Sequence, residues 1–157
     1  MTTLRIPSSV IPAVPAVEFD LAEGWTAVPA PAVTAALTPV SGRPWSIIVS
    51  TLRVDAEDDL RSVAVRSFAR QLGRHPGASI RAQRTGRFGD RVTYLREVAL
   101  PATSDHGDTA QLQALFFAPG RGTVRDVFSF VGTCPSAQLD ELGPVFVGVV
   151  ASCRFVS

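Results

Sequence analysis

The side chains that could carry out acid–base, nucleophilic or metal chemistry are few and scattered in this chain. Its 157 residues include only two histidines and two cysteines. His75 lies near the end of a predicted helix, and His106 lies in a polar turn between Asp105 and Asp108. Contiguous ligands in such a turn seldom form the closed coordination shell of a metal site. We therefore predict that the protein holds no metal.

The cysteines also lack the neighbours that a nucleophile requires. Cys134 would need a nearby base and a lowered pKa, and the sequence places neither beside it. Cys153 lies at the opposite end of the last predicted helical region, too far from Cys134 for a disulfide. The chain contains no G-x-S-x-G elbow, Walker loop or G-x-G-x-x-G motif. We predict a protein that is not an enzyme and uses no cofactor.

Charge is balanced over the whole chain but unevenly distributed along it. The formal net charge is +1, so total charge alone favours neither nucleic acid nor an acidic membrane as a partner. All fifteen cations are arginine, and residues 70–96 contain seven of them with one acid, Asp90, which gives that stretch a charge of +6. Aromatic residues are not interleaved with these arginines as base stacking requires, so we expect no specific nucleic-acid binding.

No segment has the pattern of a leader peptide or of a membrane-spanning helix. Pro7, Pro12 and Pro15 interrupt the one candidate leader, and no apolar run approaches the roughly 18 residues of a spanning helix. We therefore expect a cytoplasmic protein, provided that no leader has been removed. Residues 1–16 are rich in proline and lack periodicity, which predicts an arm preceding a single domain over residues 17–157.

A charged helix is predicted between aliphatic strands. The strands before it are expected over residues 32–40 and 44–54, and the second is apolar on both faces, as in a covered strand. Asp55 is the expected N-cap of the helix, and the acids that follow it favour the positive end of the helix dipole. Apolar residues at spacings of three to four predict one buried stripe of Leu60, Ala64, Val65, Phe68 and Leu72.

Four strands joined by short connections follow this helix. They are expected over residues 78–85, 91–100, 109–118 and 123–131. A hairpin through Gly89 and Asp90 joins the first two. Short connections force antiparallel neighbours, because a parallel pair needs a crossover of a dozen or more residues. The predicted fold class is α+β, with a single domain containing an antiparallel meander sheet of about six to seven strands and two main helices.

The second main helix is expected near the end of the chain. Ser136 can cap a helical region whose apolar residues fall on one face. Pro144 lacks a backbone N–H and crowds the preceding turn, so it should divide this region. We expect a short turn over residues 136–142 and a fresh helix that begins near Pro144.

The chain resembles the Mog/PsbP-like superfamily over roughly residues 17–156. The similarity lies in FDLAEGWTAVP with Gly24 and Trp25, in the strand SIIVSTL, in QLQALFF with Gln111 and Gln113, and in the closing PVFVGVVASCRF. That superfamily includes a Ran-binding nuclear import factor, the PsbP subunit of photosystem II, LpqN-like lipoproteins and chaperones of secretion effectors. The resemblance implies an α/β/α sandwich that binds or assembles other molecules without an enzymatic site.

Polar residues that point outward from the sheet are the candidate partner site. If both helices pack on the opposite face, these residues form a polar and basic platform of Arg81, Gln83, Gln111, Gln113 and Arg125. We interpret the platform as the contact surface of a non-catalytic adaptor or chaperone-like module, linked to secretion or assembly of a protein partner whose identity the sequence does not give. The same surface could pair two copies as a homodimer.

A second function stays open from the sequence. Phe88, Tyr94 and Phe117 could line a pocket whose charge is held by arginines. Such a protein would be a carrier or sensor of a small anionic or apolar ligand. A concave pocket of several hundred Å³ with converging arginines would favour this alternative.

Overall fold

Nine strands and two helices follow one another among the described residues, with the first helix between two groups of strands. The strands at Trp25–Val28 and Arg154–Phe155 were not predicted from the sequence. The computed structural model describes residues 2–5, 7–8, 12–31, 33–88, 91–120 and 123–156. The strands are β1 (Val17–Glu18), β2 (Trp25–Val28), β3 (Ala35–Pro39), β4 (Ser46–Asp55), β5 (Ser79–Phe88), β6 (Arg91–Leu100), β7 (Thr109–Phe117), β8 (Val124–Pro135) and β9 (Arg154–Phe155). The helices are α1 (Leu60–Arg74) and α2 (Leu139–Ser152), and a 3-10 turn over Ser136–Gln138 precedes α2.

Seven strands form one antiparallel sheet in the order β2-β3-β4-β8-β7-β6-β5. The predicted meander is confirmed, because β5, β6, β7 and β8 pair consecutively. β8 then pairs with the whole of β4, from Ser46 opposite Thr133 to Asp55 opposite Val124. The predicted hairpin through Gly89 and Asp90 lies outside the described residues. Strands β1 and β9 form a separate two-stranded ribbon.

The two helices cover opposite faces of the sheet. Side chains alternate along β7 and β8, so that Phe116, Phe128 and Phe130 pack beneath α2. The intervening Leu115 and Val127 pack beneath α1. Burying each large side chain of this kind is worth about 1.5–3 kcal/mol, so both faces need a helical cover. The predicted fold class, an α+β sandwich of two helices around an antiparallel sheet, is confirmed.

Helix α1 begins four residues later than the sequence suggests. The N-cap is Asp59, whose carboxylate accepts a hydrogen bond from the Ser62 backbone N–H at 2.7 Å. The prediction of Asp55 as the cap is wrong, because Asp55 ends β4 and its carboxylate accepts from the Glu57 N–H in the connecting turn. The acids after Asp55 therefore precede the helix.

The buried side of α1 is also rotated from the predicted stripe. Val63 and Ala64 are buried, whereas Val65 is 62% exposed and Leu72 lies at the surface. The sheet contacts the helix along the side that carries Val63, Ala64 and Phe68. Apolar spacing alone does not fix this rotation, because Val63 and Val65 are the same residue type and only contact with the sheet distinguishes them.

Helix α2 runs without interruption through Pro144. The prediction that a fresh helix begins near Pro144 is wrong, because Pro144 lies inside α2. Pro144 and Asp140, one turn before it, are both exposed, so water can reach the Asp140 carbonyl that loses its helical donor. On the buried side α2 approaches β8 closely at Gly132, where a Cβ atom would meet the Phe146 ring at 2.8 Å.

The two-stranded ribbon lies against the same face as α2. Phe19, just after β1, packs edge to face on Phe130 with ring centroids 5.6 Å apart. Phe155 of β9 packs in the same manner on Phe116 and Phe128. The described residues before Val17 contain no helix or strand. The division of the chain into an arm and a domain stays a prediction.

Candidate functional site

The five residues of the predicted platform do not share one open face. The premise that both helices pack on the same side of the sheet is wrong, because α1 covers the face that carries Gln111 and Gln113. Gln113 is only 6% exposed. Its amide Nε2 donates to Gln71 of α1 at 3.0 Å and to Gln111 at 2.9 Å. A partner role for this pair stays a prediction, and in the structure the two glutamines join the sheet to α1.

Arg125 of β8 lies at the end of the sheet rather than on a broad platform. Its guanidinium carbon is 3.7 Å from the centroid of the Phe117 ring. Arg125, Phe117 and Arg91 line a cavity of about 500 Å³. The predicted aromatic pocket is divided, since Tyr94 lines a different groove and Phe88 packs against the core beneath α2.

Arg81 and Gln83 lie on β5, which is an edge strand of the sheet. The five consecutive residues from Arg81 to Thr85 are all exposed. The pairing register with β6 shifts between Ile80 and Ala82, so Arg81 is the extra residue of a β-bulge. Of the five predicted platform residues, these two are therefore the ones that a partner could reach along an exposed strand.

Two grooves flank β5, one on each face of the sheet. The α2-side groove has a volume of about 240 Å³ and a mainly apolar surface, to which Leu95, Leu112 and Phe146 contribute. The α1-side groove has a volume of about 410 Å³ and lies between the start of α1 and the strands β5 and β6, where Leu60 and Tyr94 line it. The exposed strand thus runs between two apolar depressions.

The surroundings of β5 are basic. Arg84 lines both grooves, and Arg61 of α1 lines the α1-side groove. Neither Arg81 nor Arg84 takes part in an ion pair within the described ranges. Glu97 in the α2-side groove is the one carboxylate among the side chains that line the two grooves. Exposed arginines without counter-charges favour an acidic partner, because complementary charge steers association.

A third feature lies beneath the C-terminal half of α1. A cavity of about 250 Å³, which we name the α1 cavity, is bounded by α1 and by the strands β6, β7 and β8. Arg96 of β6 lines it and is only 5% exposed. Burial lowers the pKa of the Arg96 guanidinium below its usual value, because a desolvated charge is less stable.

Arg96 was not predicted as a site residue. It was grouped with the basic stretch, whereas its side chain lies on the face of β6 that α1 covers, with Tyr94 and Val98. A signal was present, because Arg96 occupies an inward position in the two-residue alternation of β6, where an apolar side chain is the rule. A charged residue at such a position is rarely buried without a partner.

Comparison with solved structures identifies the fold. No protein-family model and no curated protein matches the sequence. Solved structures do match. LpqN of Mycobacterium tuberculosis, which is involved in cell envelope biogenesis, matches with 14% identity over 93% of this chain and 86% of its own, at a TM-score of 0.70.

Two further structures agree with this result. PsbP (CyanoP) of Synechocystis sp. PCC 6803 has 14% identity over 96% of this chain and 99% of its own, at a TM-score of 0.64. PA94 of Pseudomonas aeruginosa, a protein of unknown function, has 13% identity over 95% of this chain and 88% of its own, at a TM-score of 0.57. This chain has the Mog/PsbP-like fold. At such identities the similarity concerns the fold alone.

Within this Mog/PsbP-like fold the residues with catalytic potential stay apart. Cys134 and Cys153 are both free and buried, and burial raises the pKa of each thiol. In the described part of the chain, no three histidine, cysteine or acidic side chains come together as metal ligands could. None of the described helices is long and apolar enough to cross a lipid bilayer.

Proposed function

We propose that this protein is a non-catalytic adaptor that binds an extended segment of a partner protein along β5. The observation that carries the proposal is a ten-residue edge strand lying between two apolar grooves. No strand among the described residues pairs with the outer edge of β5. Its outward backbone N–H and C=O groups are therefore available to an added strand.

The grooves give such a partner a way to be recognised by its side chains. Successive side chains of an added strand point to opposite faces of the sheet. One set would enter the α2-side groove beside Leu95 and Phe146, and the other would enter the α1-side groove beside Leu60 and Tyr94. Main-chain hydrogen bonds would supply affinity, and the grooves would select apolar side chains at alternate positions.

Charge defines the partner further. Arg81 and Arg84 lie on β5, and Arg61 stands at the rim of the α1-side groove. A segment with aspartate or glutamate at its outer positions would form charge-assisted contacts with these arginines. Two copies of the protein pairing through β5 would instead bring arginines together, which disfavours a homodimer at this edge.

The opposite edge of the sheet is a weaker candidate. β2 has four residues, whereas β5 has ten, so an added strand would form fewer main-chain hydrogen bonds there. A protein that holds an extended segment in this way acts as a chaperone-like module for secretion or assembly of its partner. We extend the proposal to a cytoplasmic setting, which accords with two unpaired cysteines.

Selection from a display library of random ten-residue peptides tests the proposal. We expect the selected peptides to alternate apolar and polar residues, to contain aspartate or glutamate, and to lack proline. Hydrogen exchange measured with a selected peptide should slow at the backbone amides of β5. Arg84→Glu should weaken the affinity for the peptide at least tenfold, because it places a carboxylate in the lining of both grooves.

Arg70→Glu is the matched control for Arg84→Glu. Arg70 is an exposed arginine of α1 that lines neither groove, so its reversal should change the affinity less than twofold. Equal losses in the two variants would indicate a general charge effect and reject the β5 site. If the β5 amides are protected in the free protein and light scattering gives a dimeric mass, the molecule that binds β5 is a second copy of the chain and not a partner segment.

A further inference from the structure

Arg96 carries a positive charge into the interior without a carboxylate to balance it. Its guanidinium donates to the Ala64 carbonyl at 2.7 Å, to the Ser67 hydroxyl at 2.7 Å and to the Gln113 carboxamide oxygen. All three acceptors are neutral. None of the ion pairs in the described part of the chain involves Arg96. A buried charge is costly unless an opposite charge and hydrogen bonds compensate it.

The hydrogen bonds around Arg96 leave donors rather than acceptors in excess. A guanidinium has five N–H groups. Each of the three nitrogens of Arg96 donates one hydrogen bond, so three N–H groups are engaged and two remain. The network continues from Gln113, whose Nε2 donates to Gln111 Oε1 and to Gln71 Oε1. Gln111 accepts two hydrogen bonds through Oε1, and its own amide N–H groups have no acceptor among the described residues.

The α1 cavity lies where these donors meet. Arg96, Gln111 and Gln113 line it, and Arg74 and His75 at the end of α1 stand at the same cavity. No carboxylate belongs to its lining. Its volume of about 250 Å³ is far above the roughly 10–15 Å³ that a single buried water requires. The cavity therefore has room for a small solute and offers it positive charge and N–H groups.

We propose that the α1 cavity binds a small oxyanion, with the Arg96 guanidinium as its principal ligand. A carboxylate, sulfate or phosphate group provides two oxygens at the spacing of the guanidinium fork. The Gln111 amide and Arg74 would donate further hydrogen bonds to the anion. Arg96 and Gln113 also line the α2-side groove, but the α1 cavity lies between α1 and the sheet, and its occupancy does not depend on the proposed function.

A bound anion in this place would also stabilise the contact between α1 and the sheet. Arg96 already joins the two through Ala64 and Ser67, and an oxyanion would add a counter-charge at the same point. Ligands that bind the folded state alone raise its stability according to their concentration relative to Kd. Saturating anion should therefore raise the unfolding temperature of the wild-type protein.

Titration of the intact protein with sodium phosphate, and separately with sodium acetate, tests this proposal. Proton–nitrogen NMR spectra report the Nε–H signal of each arginine, and sodium chloride keeps the ionic strength constant. We expect the Arg96 signal to shift along a saturating curve, while the Arg84 signal shifts little. Saturation by both anions would indicate a carboxylate-sized site, and saturation by phosphate alone would indicate a site for tetrahedral oxyanions.

The deciding variant fills the cavity without touching Arg96. Ser129 lines the cavity and makes no hydrogen bond to Arg96, so Ser129→Leu should weaken anion binding at least tenfold. Ser50→Leu is the control, because Ser50 is the cross-strand neighbour of Ser129 and does not line the cavity. A linear, non-saturating shift in the wild type, or equal affinities in wild type and Ser129→Leu, would overturn the proposal.

Discussion

The Arg91 guanidinium lies 4.3 Å from the centroid of the Phe116 ring. From this position it donates to the Cys153 carbonyl at 2.6 Å and to the Val150 carbonyl at 2.9 Å. These carbonyls belong to the end of α2, where the regular helical donors run out, and the Val150 carbonyl also accepts a hydrogen bond from the Cys153 N–H at 3.2 Å. A side chain of β6 thus caps the C-terminal end of a helix that lies some sixty residues later in the chain.

Replacing Arg91 with methionine should therefore destabilise the protein. The variant keeps apolar contact with Phe116 but removes two charge-assisted hydrogen bonds from the end of α2. We expect a loss of about 2–4 kcal/mol in the free energy of unfolding, measured by urea titration. Arg84→Met on the neighbouring strand is the control, and its effect should stay within about 0.5 kcal/mol. Similar losses in both variants would show that Arg91 does not hold α2.

Gly132 sets the distance between β8 and α2. A Cβ at this position would lie 2.8 Å from the Phe146 ring and 3.4 Å from a Leu142 methyl group. Gly132→Ala should cost about 1–3 kcal/mol, because the helix must move away from the sheet. Gly86→Ala is the control, since its Cβ would meet Leu95 at an ordinary 3.7 Å.

A double variant identifies Phe146 as the cause of that cost. Phe146→Leu shortens the side chain that a Cβ at position 132 would meet. The combined variant should lose less stability than the sum of its two single variants, because the new methyl group partly fills the space that the ring leaves. Additive losses in thermal or urea unfolding would show that another contact limits the approach of α2.

The cap of α1 predicts a dependence of stability on pH. The backbone hydrogen bond from Ser62 lowers the pKa of the Asp59 carboxyl below its ordinary value. A lowered native pKa stabilises the fold above the unfolded pKa of about 3.9, and this contribution disappears as the pH falls through the native value. Asp59→Ala should be less stable than wild type at pH 7, and the difference should shrink toward pH 2.

Asp55→Ala separates the two aspartates at the start of α1. Asp55 was the N-cap expected from the sequence, but its carboxylate holds the turn before the helix. We expect Asp59→Ala to lower the thermal unfolding temperature more than Asp55→Ala does at pH 7. The reverse order would restore Asp55 as the residue on which the start of α1 depends.

The thiols should be inert in the native protein. Cys134 and Cys153 are buried, and burial raises the pKa of both thiols, which keeps them protonated and shielded at neutral pH. We expect a chromogenic disulfide reagent to label less than a tenth of a thiol per native chain within minutes. After denaturation it should label two thiols per chain. Ala69→Cys, at an exposed position of α1, provides a reactive reference. Rapid native labelling of Cys153 would show that the end of α2 opens readily.

Local sequence signals were sufficient for much of the sheet. β6 was predicted over residues 91–100 and occupies Arg91–Leu100, because strong alternation and turn residues mark both of its ends. The antiparallel pairing of β5 through β8 followed from connections too short for a crossover. The order of the main strands and helices could also be predicted, because apolar residues recur every two positions in strands and every three to four in helices.

Contacts between distant residues decided what the sequence could not give. Gln113 was placed on an open face because it alternates with the apolar residues of its strand and both helices were expected on the opposite face. Gln71, forty-two residues earlier, provides the hydrogen bond that permits its burial. Arg96 is buried for the same reason, since the Ala64 carbonyl and the Ser67 hydroxyl accept hydrogen bonds from its guanidinium. The edge position of β5 could not be predicted from the sequence either, because it depends on the pairing of β4 with β8.

The pairing of β4 with β8 constrains how the chain can fold during synthesis on the ribosome. β4 ends at Asp55 and its partner begins at Val124, so about seventy residues must emerge before the two can meet. Until then β4 can pair only with β3, and the Ile47 and Val49 side chains lack both β8 and the cover of α2. The nascent chain therefore exposes an aggregation-prone aliphatic surface for a long interval. A chaperone that shields this surface would be most useful during that interval.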